Sequence, residues 1–333
     1  MRLAPLLLAA LLAATGLAHA DGPILIKFSH VVAPDTPKGR AAEKFKELAE
    51  KLTAGKVKVQ VYPNSQLYKD REELEALQIN AVQMLAPSLS KFGPLGLRQF
   101  ELFDLPYIFP SDKVLYRVMD GEIGQRLFKQ LEPRGMVGLA YWDNGFKHFS
   151  ANKPLRKPDD FKGVKMRVQS SKVLEAQMRA LGAKPQVMAF SEVHSALQQG
   201  VVDGTENPES NFYSQRMYEV QTHLTLSQHG YLGYAVVVNK RFWDGLPGEI
   251  RQQLGEAMRE TTVFERQLAD QENRKALEAI RAAKTTEIYL LPTADREVLR
   301  KRMLPVHTQF MDVIGRDLVL GTYKIAREVA ANP

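Results

Sequence analysis

The sequence predicts an α/β fold wound as two similar lobes, and three observations predict it. Period-two, strand-like segments alternate with helix-like segments along the chain. The phrase "DREELEALQIN" followed by "AVQMLAPS" returns later as "SEVHSALQQGVVDGTENP", with Ala76-Leu77-Gln78 matching Ala196-Leu197-Gln198 and Asn80 matching Gly200. From Gly248 to about Lys284 no proline interrupts a helical pattern, long for one globular helix. That stretch is either one helix running across both lobes or two helices broken near Gly255. Coincidence between two amphipathic helices is the competing account of the repeated phrase.

The elements follow in order. "ILIKFSH" reads as a first strand and "VVAPDTP" as a loop. Thr36-Pro37 supply an N-cap and a first-turn proline for a helix through Leu52. "KVKVQVYP" is a strict period-two strand. "DREELEALQIN" is a helix in which Asp70, three residues before Glu73, forms a capping box. "AVQMLAPS" is the next strand and leads into "LSKFGPLG". Near "YWDNGFK" the pair Asn144-Gly145 signals a turn and a lobe boundary, with a second crossing around "GYLGYAVVVNK". In "GVKMRVQSSKVLEAQMRALGA", Val164, Met166 and Val168 alternate with Lys165, Arg167 and Gln169 as a half-buried strand. Ser170 and Ser171 bring N-cap chemistry to a helix that Gly182 stops.

Composition bounds the function. The 333 residues suffice for two ordinary domains, and 44% hydrophobic with 25% charged residues describes a globular chain. The net charge of +7 is spread without a lysine or arginine run, which argues against nucleic acid and suits small anions. There is no cysteine, so thiol catalysis, disulfides and lipid attachment through cysteine are excluded. "MRLAPLLLAALLAATGLAHA" has a basic start, an apolar run and a small-x-small end at Ala18-His19-Ala20. It reads as a secretory signal peptide over residues 1–20, cleaved after Ala20, which places the protein in a periplasm.

Enzyme signatures are missing: no G-x-S-x-G, P-loop, G-x-G-x-x-G or H-E-x-x-H occurs, and the seven histidines show no metal-ligand spacing. No catalytic residue, metal or cofactor is expected. Ligands of open α/β sheets bind at the C-terminal ends of strands. Those ends deliver Pro87 to Phe92 from one lobe, Thr205 to Pro208 from the other, and Arg167 at the end of a second-lobe strand. An arginine fork beside a helix N-terminus makes a carboxylate or phosphate site. A surface arginine at a strand end carries the same signature.

At this point "IKFSHVVAPDTPKGRAAEKF", "VYPNSQLYKDREELEALQ", "FDLPYIF", "KGVKMRVQSSKVLEAQMRALGA" and "PQVMAFSEVHSALQQGVVDGTENP" together resemble the extracytoplasmic solute-binding proteins of TRAP transporters. Among these they most resemble the four-carbon dicarboxylate (DctP) type, over essentially the whole mature chain. The resemblance implies a type II-like periplasmic binding fold with hinge strands and a long helix spanning both lobes. Lobe I is expected over 21–144 plus 233–272, lobe II over 145–232 plus 273–325, and a C-terminal tail over 326–333. It implies Arg167 as the carboxylate ligand, Asn207 from "DG-x-ENP" and Phe190 from "MAF" against the solute. Lys147 stands where sialic-acid receptors carry arginine, which weakens a sialic-acid assignment. Lys38, Ser88, Lys91, Ser170 and His229 fall near family pocket positions.

Physical chemistry agrees with that set. Arg167 can pair two donors with one carboxylate, and Asn207 can donate to the same group. A dicarboxylate is a dianion at neutral pH, so its far end needs another cation, and Lys38 and Lys91 are the natural partners; a solvated surface lysine is the alternative for each. The expectation is a monomeric periplasmic receptor that binds succinate, malate or fumarate and delivers it to the small and large membrane subunits of a transporter, without catalysis. A receptor for a 2-oxo acid or sugar acid is the nearest alternative, and an exported organic-acid enzyme the next.

Overall fold

The computed structural model describes residues 22–332. The leader expected over residues 1–20 and its cleavage after Ala20 lie outside the described residues. The strands are β1 (Ile24–Ser29), β2 (Val57–Tyr62), β3 (Met84–Leu85), β4 (Met136–Ala151), β5 (Lys165–Val168), β6 (Lys184–Val187), β7 (Gly204–Asn207), β8 (His223–Asn239) and β9 (Glu287–Leu290). The helices are α1 (Pro37–Leu52), α2 (Glu73–Gln78), α3 (Asp112–Asp120), α4 (Glu122–Lys129), α5 (Lys172–Ala180) and α6 (Val193–Gln198). They continue as α7 (Glu209–Ser214), α8 (Lys240–Asp244), α9 (Gly248–Ala283), α10 (Thr293–Met303), α11 (Pro305–Ile314) and α12 (Arg316–Ala331).

Sheet order is β2-β1-β3-β8-β4-β7-β5-β6, with β9 added beside β8. Each half repeats one plan. β1 pairs in parallel with β2 and β3, and β3 meets β8 antiparallel. Correspondingly, β5 pairs in parallel with β6 and β7, and β7 meets β4 antiparallel. The two long strands β4 and β8 pair with each other from Met136↔Asn239 to Ala151↔His223, so each lobe borrows its inner strand from a hinge that both share. The repeated phrase is thus a repeated structure. α2 and α6 both end in Ala-Leu-Gln, and Asn80 (φ 61°) and Gly200 (φ 68°) both turn left-handed before β3 and β7.

Local chemistry explains most elements. Thr36 caps α1 by accepting from the Gly39 N–H at 3.1 Å, and Pro37 opens the helix. Ala41, Ala42, Phe45 and Leu48 of α1 bury against Ile26, Phe28, Val57 and Val59. Ser171, not Ser170, caps α5 by accepting from Leu174 N–H. α9 is one unbroken helix of 36 residues, and Gly255 sits inside it. Its first half buries Ile250, Leu254 and Ala257 with α1, while Asn273 and Ile280 reach the second lobe. No helix among the described residues is long and apolar enough to cross a membrane.

Three expectations are corrected. Asn144-Gly145 is not a turn: it is a register shift within β4, opposite Gly233 and Leu232, and Asn273 Nδ2 donates to Asn144 O at 2.7 Å. Gly145 takes φ 117°, and a Cβ there would stand 2.6 Å from Asn273 Nδ2. Asp70 makes no capping box, because its carboxylate and that of Glu73 turn inward to a buried lysine. Residues 326–331 of the expected C-terminal tail are helical instead: α12 runs to Ala331 and buries Val329. Val306, Phe310, Ile314 and Val319 of α11 and α12 share a core with Phe100, Leu115 and Leu127, and with Val173 and Ala176 of α5.

Candidate ligand-binding site

Arg167 is a buried residue, 2% exposed, which removes the surface reading of this arginine. Its Nε and Nη2 donate to Met188 O at 3.1 and 2.9 Å, and its Cζ lies 5.7 Å from the Phe190 ring centroid. Since a guanidinium carries five N–H groups in a fixed fork, this carbonyl fixes one edge and leaves the Nη1–Nη2 end for an anion. Burial pulls the Arg167 pKa down, while Asp70 and then Glu206 hold it up.

The residue lies on a small, partly open pocket between the lobes. Lys38, Ser88, Lys91, Arg167, Phe190 and Asn207 all line it, together with Val31, Val32, Asp70, Gln169, Asn211, Leu232 and Tyr234. Lys147, Ser170 and His229 do not line it. Asn207 reaches the wall from the end of β7, its Nδ2 near Thr205 Oγ1 at 3.3 Å and Met217 Sδ at 3.6 Å. Ser88 Oγ accepts from Gln169 Nε2 at 2.7 Å, a bond that joins the two lobes across the cavity.

The two wall lysines differ sharply. Lys91 Nζ lies 2.8 Å from Asp70 Oδ1 and 2.5 Å from Glu73 Oε1, so two carboxylates already claim its charge. Burial opposes that charge, but Asp70 and Glu73 outweigh it and raise the Lys91 pKa. Burial also opposes the Asp70 carboxylate; Lys91 first and Arg167 next overcome it and hold Asp70 down at about 2. Lys38, 1% exposed, donates to Ala86 O at 3.0 Å and stands 3.8 Å over the Tyr234 ring, with no carboxylate in contact. Burial, and then the like charge of Lys91, bring its pKa down to about 7. Arg167 and Lys38 are therefore the cations of this wall whose charge the protein leaves for another partner.

Behind Asn207, Glu206 holds a second buried set. Lys147 Nζ lies 2.6 Å from Glu206 Oε1, and His229 Nε2 lies 2.7 Å from Glu206 Oε2. Burial drives the His229 pKa down to about 4, and its ring stacks on Phe149 at 3.5 Å between centroids. Lys147 is therefore neutralised within the second lobe instead of facing the cavity. Ser170 is displaced by strand parity: Arg167 and Gln169 share one face of the chain, so Gln169 reaches the wall. The alternation already visible in the sequence carried that signal. For Asp70, Asn211 and Tyr234 no comparable local signal existed.

A larger open cleft runs along α9, lined by Asp112, Asp143, Glu209 and Asp270 as well as Arg274, Arg296 and Arg300. It mixes both signs and holds none of the expected site residues. Among the described residues no group of histidine, aspartate and glutamate side chains is arranged to hold a metal ion.

Known proteins match this architecture along most of the chain. Residues 28–312 match the family model DctP, described as bacterial extracellular solute-binding protein, family 7. The chain is 62% identical over 297 residues to the C4-dicarboxylate-binding periplasmic protein DctP of Rhodobacter capsulatus, covering 89% of each. A TRAP periplasmic solute-binding protein from Shewanella oneidensis with bound succinate superposes with TM-score 0.89 at 44% identity, covering 91% of this chain and 99% of that one. Its counterpart from Pseudomonas aeruginosa PAO1 with bound L-malate gives TM-score 0.84 at 42% identity, covering 86% of this chain and all of that one (100%).

Proposed function

Because the chain belongs to the family-7 bacterial extracellular solute-binding proteins, the DctP family, we propose that it is the periplasmic receptor of a TRAP transporter for four-carbon dicarboxylates. It captures succinate, malate or fumarate between its lobes and delivers the acid to the small and large membrane subunits. It acts as a monomer after export and removal of the leader behind Ala20, and it performs no chemistry on its solute.

One observation carries the reading: Arg167 and Lys38 face one cavity as cations without a carboxylate partner, while Lys91 and Lys147 are already matched. One carboxylate of the solute takes the free end of the Arg167 fork, beside Asn207. The other takes Lys38. Phe190 and Leu232 cover the hydrocarbon between them. Binding both ends at once draws the lobes together, because Lys38 belongs to α1 and Arg167 to β5.

The test is calorimetry of the mature chain, beginning at Asp21, against succinate, L-malate, fumarate and butyrate, with mass spectrometry of solute that co-purifies with it. Tight binding of the diacids with unchanged solute supports the reading. Preferential recovery of a sugar acid or 2-oxo acid would assign the receptor to another organic acid, and turnover would make it an enzyme.

A further inference from the structure

The open cleft beside α9 offers about 540 Å³, ample for a small ligand. Along β8, Leu232 and Tyr234 line the solute pocket and share one core, whereas Tyr231 points the other way, into another core. The Tyr231 hydroxyl donates to Asp143 Oδ1, and Asp143 lines the cleft. Cleft and solute pocket therefore lie on opposite faces of the hinge strands and share no lining residue.

Most charges in the cleft are already matched. Asp143 accepts from Tyr116 and Tyr231 hydroxyls at 2.6 and 2.9 Å, and Glu209 meets His148 at 3.0 Å. Arg274 pairs with Asp270, while Arg300 spends Nε and Nη2 on Glu297 at 2.6 and 2.9 Å. Two wall atoms are left over. Arg296 Nε and Tyr107 Oη are both buried without a hydrogen-bond partner. Arg296 and Arg300 stand one turn apart on α10, and Tyr107 packs on the core that holds Leu299 and Met303 of the same helix. Tyr107 is also fixed through its backbone, which takes a left-handed φ of 55° and donates its N–H to His229 O at 2.9 Å.

The leftover atoms select their partner. A guanidinium only donates. Burial pushes the Tyr107 pKa up, so the phenol keeps its proton and donates as well. An ammonium would accept from neither and would meet the charge of Arg296. A neutral carbonyl would accept but leave that charge unmatched. An oxyanion does both. The cleft also holds Asp112, whose pKa burial raises first and the negative charges of Asp143 and Asp270 raise further, so a second anionic group is unwelcome there.

We propose that Arg296, Tyr107 and Arg300 form a second binding site, which takes the single carboxylate or phosphate group of a small ligand without displacing the solute. The inference stands on the cleft alone and does not depend on which acid the solute pocket binds.

The experiment is an NMR titration of the mature chain with inorganic phosphate and, separately, with acetate, read from backbone amide shifts. At least one anion should move the amides of Tyr107, Arg296 and Arg300 saturably, and the two titrations distinguish phosphate from carboxylate chemistry. Arg296→Gln should weaken that binding about tenfold or more, the range for a hydrogen bond to a charged group. Tyr107→Phe should weaken it too, whereas Arg167→Ala, across the hinge, should leave it unchanged. Shifts confined to the surroundings of Arg167, or an undiminished affinity in Arg296→Gln, would overturn the proposal. Absence of saturable shifts in the cleft with both anions would overturn it as well, and that result needs no variant to fold.

Discussion

Asp70 Oδ2 accepts a hydrogen bond from the backbone N–H of Phe190 at 2.9 Å, and the two residues stand 120 positions apart. The same spacing separates Ala76-Leu77-Gln78 from Ala196-Leu197-Gln198, so equivalent loops of the two lobes touch where they close over the cavity. Lys69 and Glu192 pair beside them at 3.1 Å, but both are half-exposed and add little.

These contacts exist only while the lobes are together, so the radius of gyration should fall when a diacid binds. Gln169→Ala removes the neutral bond to Ser88 without changing charge. It should speed solute release about three- to tenfold, the range for one hydrogen bond. Small-angle scattering and stopped-flow release read the two effects. An unchanged radius at saturation would count against the clamp.

Arg167→Lys should weaken diacid binding although the charge remains, because an ammonium cannot present the paired donors of the guanidinium. Arg167→Ala should cost about 2–5 kcal/mol of binding, by analogy with truncating one partner of a buried charge pair. Calorimetry with circular dichroism as a folding check measures both. Undiminished affinity in a folded Arg167→Ala protein would remove Arg167 from the site.

The two wall lysines should separate stability from binding. Lys91→Met leaves Asp70 and Glu73 buried without their cation and should destabilise the fold by about 3–5 kcal/mol. Lys38→Met breaks no ion pair and should leave stability unchanged or higher, while succinate loses far more affinity than butyrate. Denaturant titration and calorimetry test the pair, and the opposite pattern would exchange their roles.

Acid should weaken the protein in two adjoining windows. His229 stays neutral down to about 4 and His30 down to about 3, each driven there mainly by burial, whereas an unfolded histidine protonates near 6.5. The unfolded chain therefore binds more protons as pH falls from 6.5 to 4, and stability is lost there, up to about 3 kcal/mol through His229 alone. Glu206 and Asp70 are held at about 2, below their ordinary values, so a further loss runs from about pH 4.5 to 2. Urea unfolding at stepped pH measures the curve, and a flat profile from pH 7 to 4 would contradict the histidine burial.

Gly255→Ala should stabilise the protein by roughly 0.5–1 kcal/mol, since Gly255 lies inside α9 and a Cβ there meets nothing nearer than Arg259 Nη1 at 3.8 Å. Gly39→Ala should do the reverse, because its Cβ would fall 2.4 Å from Ala33 O. Thermal unfolding of both variants gives the signs.

What could be read without coordinates was local chemistry. Thr36-Pro37, Ser171 and the left-handed Asn80 and Gly200 mark boundaries because the groups that decide them lie within one helical turn. The misread features depend on partners far along the chain. Asn144-Gly145 stays in a strand because β8 supplies its hydrogen bonds, and Asp70 abandons the cap because Lys91 offers a buried charge. Lys147 leaves the cavity for Glu206, and Tyr234 and Asn211 meet only when the hinge and α7 come together. Arg167, Lys38, Lys91 and Lys147 were all legible as candidate cations, but nothing local says which lysine a buried carboxylate already holds.

The shared hinge also fixes an order of assembly. β1, β2 and β3 are made early, yet β3 has an unpaired edge until residues 237 and 238 of β8 have been synthesised. An unpaired strand edge is a template for wrong partners. The first lobe therefore cannot be completed as the ribosome delivers it, and a chain cut before β8 should yield no folded half. Truncations ending between β7 and β8 should be protease-sensitive throughout, and the full chain should unfold as one cooperative unit rather than lobe by lobe.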